Sequence, residues 1–219
     1  MAAVRALIFD MDGTMIDSMG HHRLSWLEFA RRHGLAIEAD ELMRRTTGRT
    51  GAECMNELFG REFSPAESWA LVAEKEHLYR ELFAPVFREV AGFCAFSAAA
   101  HAQGLAVGVG TAGDRHNIVF AMRHLAMDPA PHAVVGGDDG WAGKPDPAIF
   151  LEVARRLGVA PAHCVVFEDA RWASRPRAAP AWPRSRCARA TARMIWPGRM
   201  CLPRSTTTPA RPPRPCCNN

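Results

Sequence analysis

The stretch Leu7–Thr14, near the N-terminus, constrains the fold of this chain more than any other part of it. Val4–Phe9 is a short apolar run with β-branched and aromatic members, which predicts a buried strand. Two carboxylates, Asp10 and Asp12, follow at once, and then Gly13, which permits a tight turn. Acidic groups directly after a buried strand indicate an open α/β sheet, in which ligands bind at the carboxyl ends of the strands.

The Asp-x-Asp-Gly pattern has two other interpretations, a solvated turn and a calcium-binding loop. A calcium loop needs further oxygen ligands at alternating positions and a Glu at the twelfth. Met15, Ile16 and Met19 do not supply such ligands. In a pair of carboxylates, one can act as nucleophile or metal ligand and the other as proton donor, so this turn is a candidate catalytic site.

Composition favours a soluble protein with reduced cysteines. At 219 residues the chain can hold one α/β domain with a sizeable insertion, or two small domains. No run of about 18 apolar residues is present and no signal peptide is evident, so we expect a cytoplasmic protein with no membrane partner. Cys54, Cys94 and Cys164 stand singly in apolar stretches, as reduced core thiols do.

The order of periodic segments predicts the architecture. Residues 17–87 show helical periodicity without a clear strand, and Ser64 with Glu67 fits a capping box. Beyond residue 88, helices and strands alternate, which predicts a doubly wound, parallel, Rossmann-like α/β sheet with an inserted α-helical cap. We assign residues 1–16 and 88–170 to the core and 17–87 to the cap. The predicted helices are His21–His33, Asp40–Arg45, Ala52–Phe59, Ser64–Phe83, Phe93–His101, Arg115–Leu125 and Pro147–Leu157, and the later strands are Leu105–Gly110, Ala133–Val135 and Cys164–Phe167.

Three later positions add groups that phosphate chemistry requires. Thr111 stands between a strand and a helix N-terminus, where phosphate oxygens bind, although a plain N-cap is the simpler interpretation of it alone. Lys144 lies in a proline-flanked turn of a chain with one other lysine, Lys75. Glu168-Asp169 ends a strand and suits a hard divalent cation, or a second capping pair. Together these groups form the set needed for phosphoryl transfer through an aspartyl intermediate.

In their order and spacing, these groups resemble the four motifs of the haloacid dehalogenase (HAD) superfamily. The motifs stand here as Asp10-Met11-Asp12-Gly13-Thr14, Thr111, Lys144 and Glu168-Asp169, and the resemblance covers about residues 4–170. It implies that Asp10 attacks phosphorus, while Asp12 protonates the leaving oxygen and later activates water. It also implies that Lys144 neutralises the nucleophile and the phosphate, and that Thr111, beside Ala112 and Gly113, binds a phosphate oxygen.

The resemblance further implies one Mg2+ ion, held by the Asp10 carboxylate, the Asp12 carbonyl and the Glu168-Asp169 pair. The helical insertion looks like that of the β-phosphoglucomutase and phosphoglycolate phosphatase group. In that group's sugar-phosphate mutases, cap residues at the places of His22, Arg49 and Lys75 contact the substrate; here each has a surface charge as its alternative. Asp12 argues against dehalogenase and phosphonate-cleaving activity, because those members lack this aspartate.

The implied function is therefore that of a magnesium-dependent phosphatase acting on a small phosphorylated metabolite, such as a sugar phosphate. A sugar-phosphate mutase like β-phosphoglucomutase is the alternative, because the sequence does not show whether water reaches the aspartyl phosphate. We expect a monomer whose partner is its small-molecule phosphate ester.

The last fifty residues, 170–219, differ in composition from the rest of the chain. They contain eleven arginines and nine of the sixteen prolines, with no acidic residue and no lysine. Since the whole chain carries +4 and this part +11, residues 1–169 carry −7. Such a composition cannot sustain helices or central strands, so we expect an aberrant, disordered tail over residues 171–219.

A shifted reading frame near residue 170 would explain this tail. With GC-rich codons, reading one base earlier turns Arg171 to Ala192 into a helix, a glycine stop and a strand, and the fixed codons of Trp172 and Trp182 then contribute to Leu and Met. Codon-position bias that continues undisturbed past residue 170 would contradict this hypothesis. Two other interpretations are an arginine-rich arm that binds nucleic acid, which we do not expect, and an inactive relic.

Overall fold

The computed structural model describes residues 3–46, 49, 51–169 and the strand at 187–189. A five-stranded sheet lies at its centre in the order β3-β2-β1-β4-β5, and every neighbouring pair is parallel. The predicted parallel, doubly wound α/β fold is thus confirmed. The strands are β1 Ala6–Phe9, β2 Ala106–Gly110, β3 Ala133–Val135, β4 Cys164–Glu168 and β5 Cys187–Arg189.

Strand β1 lies in the middle of the sheet because both of its faces are apolar. Leu7 and Phe9 belong to one hydrophobic cluster, and Ala6 and Ile8 belong to the cluster on the opposite face. All four residues of the strand are buried, as expected for a parallel strand covered by helices on both sides.

Seven α-helices surround the sheet or form the insertion in the described part of the chain. Their bounds agree with the predicted ones to within two residues at either end. They are α1 Met19–Arg32, α2 Ala39–Thr46, α3 Gly51–Phe59, α4 Pro65–Phe83, α5 Phe93–Ala102, α6 Arg115–Leu125 and α7 Ala148–Arg156. The predicted capping box at the start of α4 is confirmed, since the Ser64 hydroxyl accepts from the Glu67 amide while the Glu67 carboxylate accepts from Ser64 N. No described helix is long and apolar enough to cross a membrane.

Helices α1–α4 pack on one another around their own apolar cluster, which includes Trp26, Phe29, Leu42 and Met55. Two chain segments connect these helices to the sheet, and they run side by side: Asp17 N donates to Arg88 O at 3.1 Å and Val90 N donates to Met15 O at 2.9 Å. The division of the chain at residues 17 and 87 stays a prediction, and the pairing of the two connecting segments supports it.

Strand β5 lies within the tail, residues 171–219, which we expected to be disordered. Cys187–Arg189 pairs with β4 in parallel, so the outer edge of β4 is covered at Val166–Glu168 rather than open. The remaining tail, residues 170–186 and 190–219, lies outside the described residues. The frame-shift hypothesis concerns these residues and stays a hypothesis. Cys54, Cys94 and Cys164 are reduced thiols, as predicted.

Candidate active site

The sheet topology brings the predicted acidic groups to one edge. The chain proceeds from β1 to β2 and β3 on one side and then to β4 on the other, so the strand order reverses at β1. Asp10 follows β1 directly, and Glu168 ends β4, the neighbouring strand. Ligands of open α/β sheets bind at such a switch point.

Gly13 allows the loop after β1 to pack against Glu168-Asp169. Its φ is +75°, and a Cβ atom at this position would overlap the Oδ2 atom of Asp169. A residue with a side chain would therefore meet both backbone strain and a steric clash here. The glycine in Asp-x-Asp-Gly is required by the contact between two of the predicted motifs.

Lys144 contacts one carboxylate at the end of β1 and one at the end of β4. Its Nζ donates to Asp10 Oδ1 at 2.5 Å and to Glu168 Oε2 at 2.9 Å. The lysine is only 7% exposed, and the two carboxylates keep its pKa above the ordinary value although burial opposes this. A charged lysine is thus fixed beside the candidate nucleophile.

Asp10, Glu168 and Asp169 form a cluster that fits a divalent cation. Carboxylate oxygens of the three residues all lie within 4.8 Å of one another. Burial, followed by the charge of Asp10, raises the pKa of Glu168 and raises that of Asp169 to about 7. Burial also raises the pKa of Asp10 against the effect of Lys144. Like charges so close together are costly unless they are protonated or bind a cation, and Mg2+ takes such hard oxygen ligands.

Asp12 has a different environment, which is provided by the cap. Its Oδ1 accepts from Ser18 Oγ at 2.6 Å, contacts His22 Nε2 at 3.0 Å and lies 3.4 Å from the Tyr79 hydroxyl. Burial alone would raise the pKa of Asp12, but His22, Ser18 and Lys75 outweigh it and lower the pKa to about 2. The carboxylate is therefore held ionised and in a fixed orientation.

The candidate phosphate-binding turn lies between β2 and α6. Gly113 N donates to Thr111 Oγ1 at 2.9 Å, and Gly113 O accepts from Gly137 N at 2.9 Å. Because the Thr111 oxygen accepts a hydrogen bond from within the turn, the hydroxyl proton can be directed at a ligand. Thr111, Ala112 and Gly113 all line the cavity that contains Asp10.

Lys75, on helix α4 of the cap, is buried. It is 2% exposed, and its Nζ lies 2.9 Å from His22 Nδ1 and donates to Glu76 Oε1 at 2.8 Å. The His22 ring stacks on Tyr79, with the ring centroids 3.8 Å apart. Both lysines of the chain are thus buried in the candidate site, and Lys75 contacts Asp12 through His22.

The cavity between core and cap has a volume of about 640 Å³. The carboxylates described above line it, and the greater part of its lining is apolar. Arg49 lies at the cap side, 45% exposed, with its Nη1 atom 3.4 Å from Glu57 Oε2. Apolar side chains that line the cavity include Met19, Trp26, Met43, Phe63, Trp69, Val72 and Trp141.

The structure brings all the predicted site residues to this one cavity, namely Asp10, Asp12, His22, Arg49, Lys75, Thr111, Ala112, Gly113, Lys144, Glu168 and Asp169. Their individual roles stay predictions. Sequence reasoning missed Ser18, Tyr79, Glu76 and Asn117, which contact these residues or one another. The positions of Ser18 and His22, four residues apart at the start of a helix, were a signal for a shared helix face.

The comparisons with known proteins agree with this geometry. Residues 4–174 match the family model of the haloacid dehalogenase-like hydrolases, and the chain belongs to this family. It is 32% identical over 166 residues to the fructose-1-phosphate phosphatase YqaB of Escherichia coli, covering 75% of this chain and 86% of that protein.

Two mutases are similar to nearly the same extent. The β-phosphoglucomutase of Bacillus subtilis is 29% identical over 174 residues, covering 76% of each chain. The solved structure of a β-phosphoglucomutase from Clostridium difficile superimposes with a TM-score of 0.68 at 25% identity, covering 76% of this chain and 77% of that one. The predicted resemblance to phosphatases and mutases of this family is thus confirmed.

Proposed function

We propose that this protein is a magnesium-dependent phosphatase that hydrolyses a small phosphorylated metabolite, such as a sugar phosphate, through an aspartyl-phosphate intermediate on Asp10. The contact of Lys144 with both Asp10 and Glu168 carries this proposal, because the candidate nucleophile and a candidate metal-binding carboxylate share one buried cation. Phosphatases among the relatives support the same chemistry.

The first step is attack of an Asp10 oxygen on phosphorus. The bond from phosphorus to the leaving oxygen breaks, and Asp12 gives a proton to that oxygen. Asp12 is ionised in the free protein and would take up this proton from solvent when the negatively charged phosphate ester lies beside it, because a like charge raises the pKa of a carboxyl group. Lys144 and the Thr111 hydroxyl hold the oxygens of the transferring phosphoryl group, where negative charge must be balanced. The remainder of the substrate occupies the cap side of the cavity, next to Arg49.

The second step hydrolyses the aspartyl phosphate and regenerates the Asp10 carboxylate. Asp12, now ionised, takes a proton from a water molecule that attacks the phosphorus of the aspartyl phosphate, and Asp10 and inorganic phosphate are released. Ser18 and His22 hold the Asp12 carboxylate, so its protonation state is under the control of the cap. Asp10, the Asp12 carbonyl, Glu168 and Asp169 would hold Mg2+, which when bound supplies positive charge against the dianionic phosphate.

A mutase like β-phosphoglucomutase is the second candidate, since two such enzymes are relatives. Such an enzyme binds a second phosphate group in the cap side of the cavity. Among the described residues of the cap that line the cavity, however, Lys75 and His22 contact each other and the carboxylates of Glu76 and Asp12. Arg49, which lies 3.4 Å from Glu57, is the remaining described base there, and hydrolysis is therefore preferred.

The deciding experiment measures release of phosphate from p-nitrophenyl phosphate with and without Mg2+, for the wild type and for Asp10→Asn. Turnover that requires both Mg2+ and Asp10 supports the proposal. Equal turnover by Asp10→Asn overturns it, because the nucleophile is then not essential. A panel with fructose 1-phosphate, hexitol phosphates and β-glucose 1-phosphate then separates the two functions: free phosphate indicates the phosphatase, whereas glucose 6-phosphate indicates the mutase.

A further inference from the structure

The Asn117 side chain joins the cap to the core. Its Nδ2 donates to Glu76 Oε2 at 2.6 Å, and its Oδ1 accepts from Arg80 Nη1 at 2.8 Å. Glu76 and Arg80 lie one turn apart on α4 of the cap, whereas Asn117 belongs to α6 of the core. A neutral carboxamide is the group that can bind an anion with one end and a cation with the other.

Burial and a backbone hydrogen bond fix the position of Asn117 in α6. It is 2% exposed, and its backbone N donates to the Asp114 carboxylate at 2.7 Å, which fixes it at the first turn of α6. This turn follows the candidate phosphate-binding residues, and Asn117 lines the same cavity. The contact between α4 and α6 is therefore anchored beside the place where the phosphate is expected.

From Glu76 the contacts continue to the candidate acid/base. Glu76 accepts from Lys75, Lys75 contacts His22, and His22 contacts Asp12, each at 2.8–3.0 Å. All of these links are at least partly shielded from solvent, so each contact restricts the next. We call this series of side chains the cap–core network: Asp12, His22, Lys75, Glu76, Asn117 and Arg80.

We propose that Asn117 is a positioning residue that acts on Asp12 through the cap–core network. By binding Glu76 and Arg80, it holds α4 against α6. With α4 in this position, Lys75 and His22 orient the Asp12 carboxylate towards the leaving oxygen. The inference rests on the proposed function, since it assigns to Asp12 the proton transfer described above.

The test compares an alkyl ester with an activated aryl ester. The ratio kcat/KM covers all steps up to formation of the aspartyl phosphate, where Asp12 protonates the leaving oxygen. Fructose 1-phosphate has an alkoxide leaving group that needs this proton, whereas the phenolate of p-nitrophenyl phosphate hardly does. A misplaced Asp12 therefore lowers kcat/KM for the first ester more than for the second, whereas general damage to the site lowers both.

We expect Asn117→Asp to lower kcat/KM for fructose 1-phosphate about tenfold more than for p-nitrophenyl phosphate, a part of the 10²–10⁴-fold that an acid/base typically contributes. The substitution keeps the size of the side chain and the contact with Arg80 but turns the contact with Glu76 into repulsion. The double variant Asn117→Asp with Glu76→Gln restores a donor at position 76, and we expect it to recover part of the selective loss. Gln103→Glu, which adds one charge at an exposed end of α5, serves as the matched control and should equal the wild type.

Melting temperatures from circular dichroism establish that each variant is folded. If Asn117→Asp does not fold, Arg80→Gln removes the other half of the contact from a partly exposed position and should show the same selective loss. Equal losses on both esters, or a double variant no better than the single one, would overturn the inference while leaving the phosphatase in place. Absence of turnover by the folded wild type on either ester would remove the proposed function, and this inference with it.

Discussion

The two halves of the candidate site are built in different ways. The core half consists of groups at the ends of adjacent parallel strands and in one nearby turn, where topology alone brings Asp10, Glu168 and Thr111 together. The cap half consists of side chains on separate helices, such as His22 on α1 and Lys75 on α4, which meet because the helices pack together. The core half therefore depends on sheet register, and the cap half depends on helix docking.

Electrostatics differ between the halves in the same way. Burial and mutual repulsion raise the pKa values of Asp10, Glu168 and Asp169, which is typical of a site that binds a cation. In contrast, His22, Ser18 and Lys75 lower the pKa of Asp12 in spite of its burial. We infer that the core supplies the charge needed for phosphoryl transfer and that the cap controls the proton.

Replacement of Lys144 tests the core half and should have the largest effect. Lys144→Met keeps the length of the side chain but removes the charge that contacts Asp10 and Glu168. We expect kcat/KM on p-nitrophenyl phosphate to fall about 10²–10³-fold, as when a donor to a transition-state charge is lost. Without Mg2+, denaturant unfolding should show a loss of about 3–5 kcal/mol, because a buried charge pair is broken.

Mg2+ should restore part of this stability in Lys144→Met, since the cation also neutralises the carboxylates. Arg31→Met, an exposed pair with Glu28 on the cap, is the matched control and should change neither activity nor stability by a comparable amount. Activity of Lys144→Met close to that of the wild type would mean that the lysine only stabilises the core.

Replacement of Lys75 tests the cap half and should have a smaller, selective effect. Lys75→Met removes the contacts with His22 and Glu76 but no group that touches the phosphate in the proposed mechanism. We expect kcat/KM for fructose 1-phosphate to fall about 10-fold to 100-fold, the scale of a displaced catalytic group, and that for p-nitrophenyl phosphate to fall less. If KM alone rises for both esters, Lys75 contacts the substrate directly, as the sequence resemblance implies.

The sequence predicted the fold well because the fold depends on local periodicity. Arg115–Leu125 and Ala133–Val135 agree residue for residue with the structure. The predictions for β1 and β2 were too long by one or two residues at their starts, since the apolar patterns continue to Val4 and Leu105. The strands begin instead where pairing begins: Ala6 pairs with both Ala106 and Cys164, so the three strands start at the same level.

Most of the core half of the site was predictable for a related reason, since Asp10, Thr111 and the Glu168-Asp169 pair adjoin strand ends that the sequence already marks. Lys144 lies in the loop between β3 and α7 and was predicted from its proline-flanked turn instead. The contacts of the cap–core network were not predictable, although its members Asp12, His22 and Lys75 were among the predicted site residues. No local pattern connects Glu76 with Asn117, because their contact depends on how α4 docks against α6. Tyr79, which also contacts Asp12, has an ordinary place on its helix, and its complete burial is a property of the packed structure.

The smallest effect that we expect is the contribution of Asp169, in the core half, to the pH dependence of stability. Its pKa is raised from 3.8 to about 7 in the folded protein, first by burial and then by the charge of Asp10. Between these two values the folded state holds a proton that the unfolded state has released. The stability of the metal-free protein should therefore fall as the pH rises from about 4 to about 7, with Asp169 contributing to the slope.

Mg2+ reverses this trend if it binds the carboxylates in their ionised form. The increase in melting temperature caused by Mg2+ should then be small at pH 5 and larger at pH 8, because protons compete with the cation at low pH. Asp169→Asn should flatten the metal-free slope and reduce the effect of Mg2+, whereas Asp40→Asn, at an exposed cap position, should follow the wild type. If Asp169→Asn retains the full slope and the full Mg2+ effect, Asp169 does not belong to the cation site. The crowding of acidic groups in the core half would then have to be relieved by Lys144 alone.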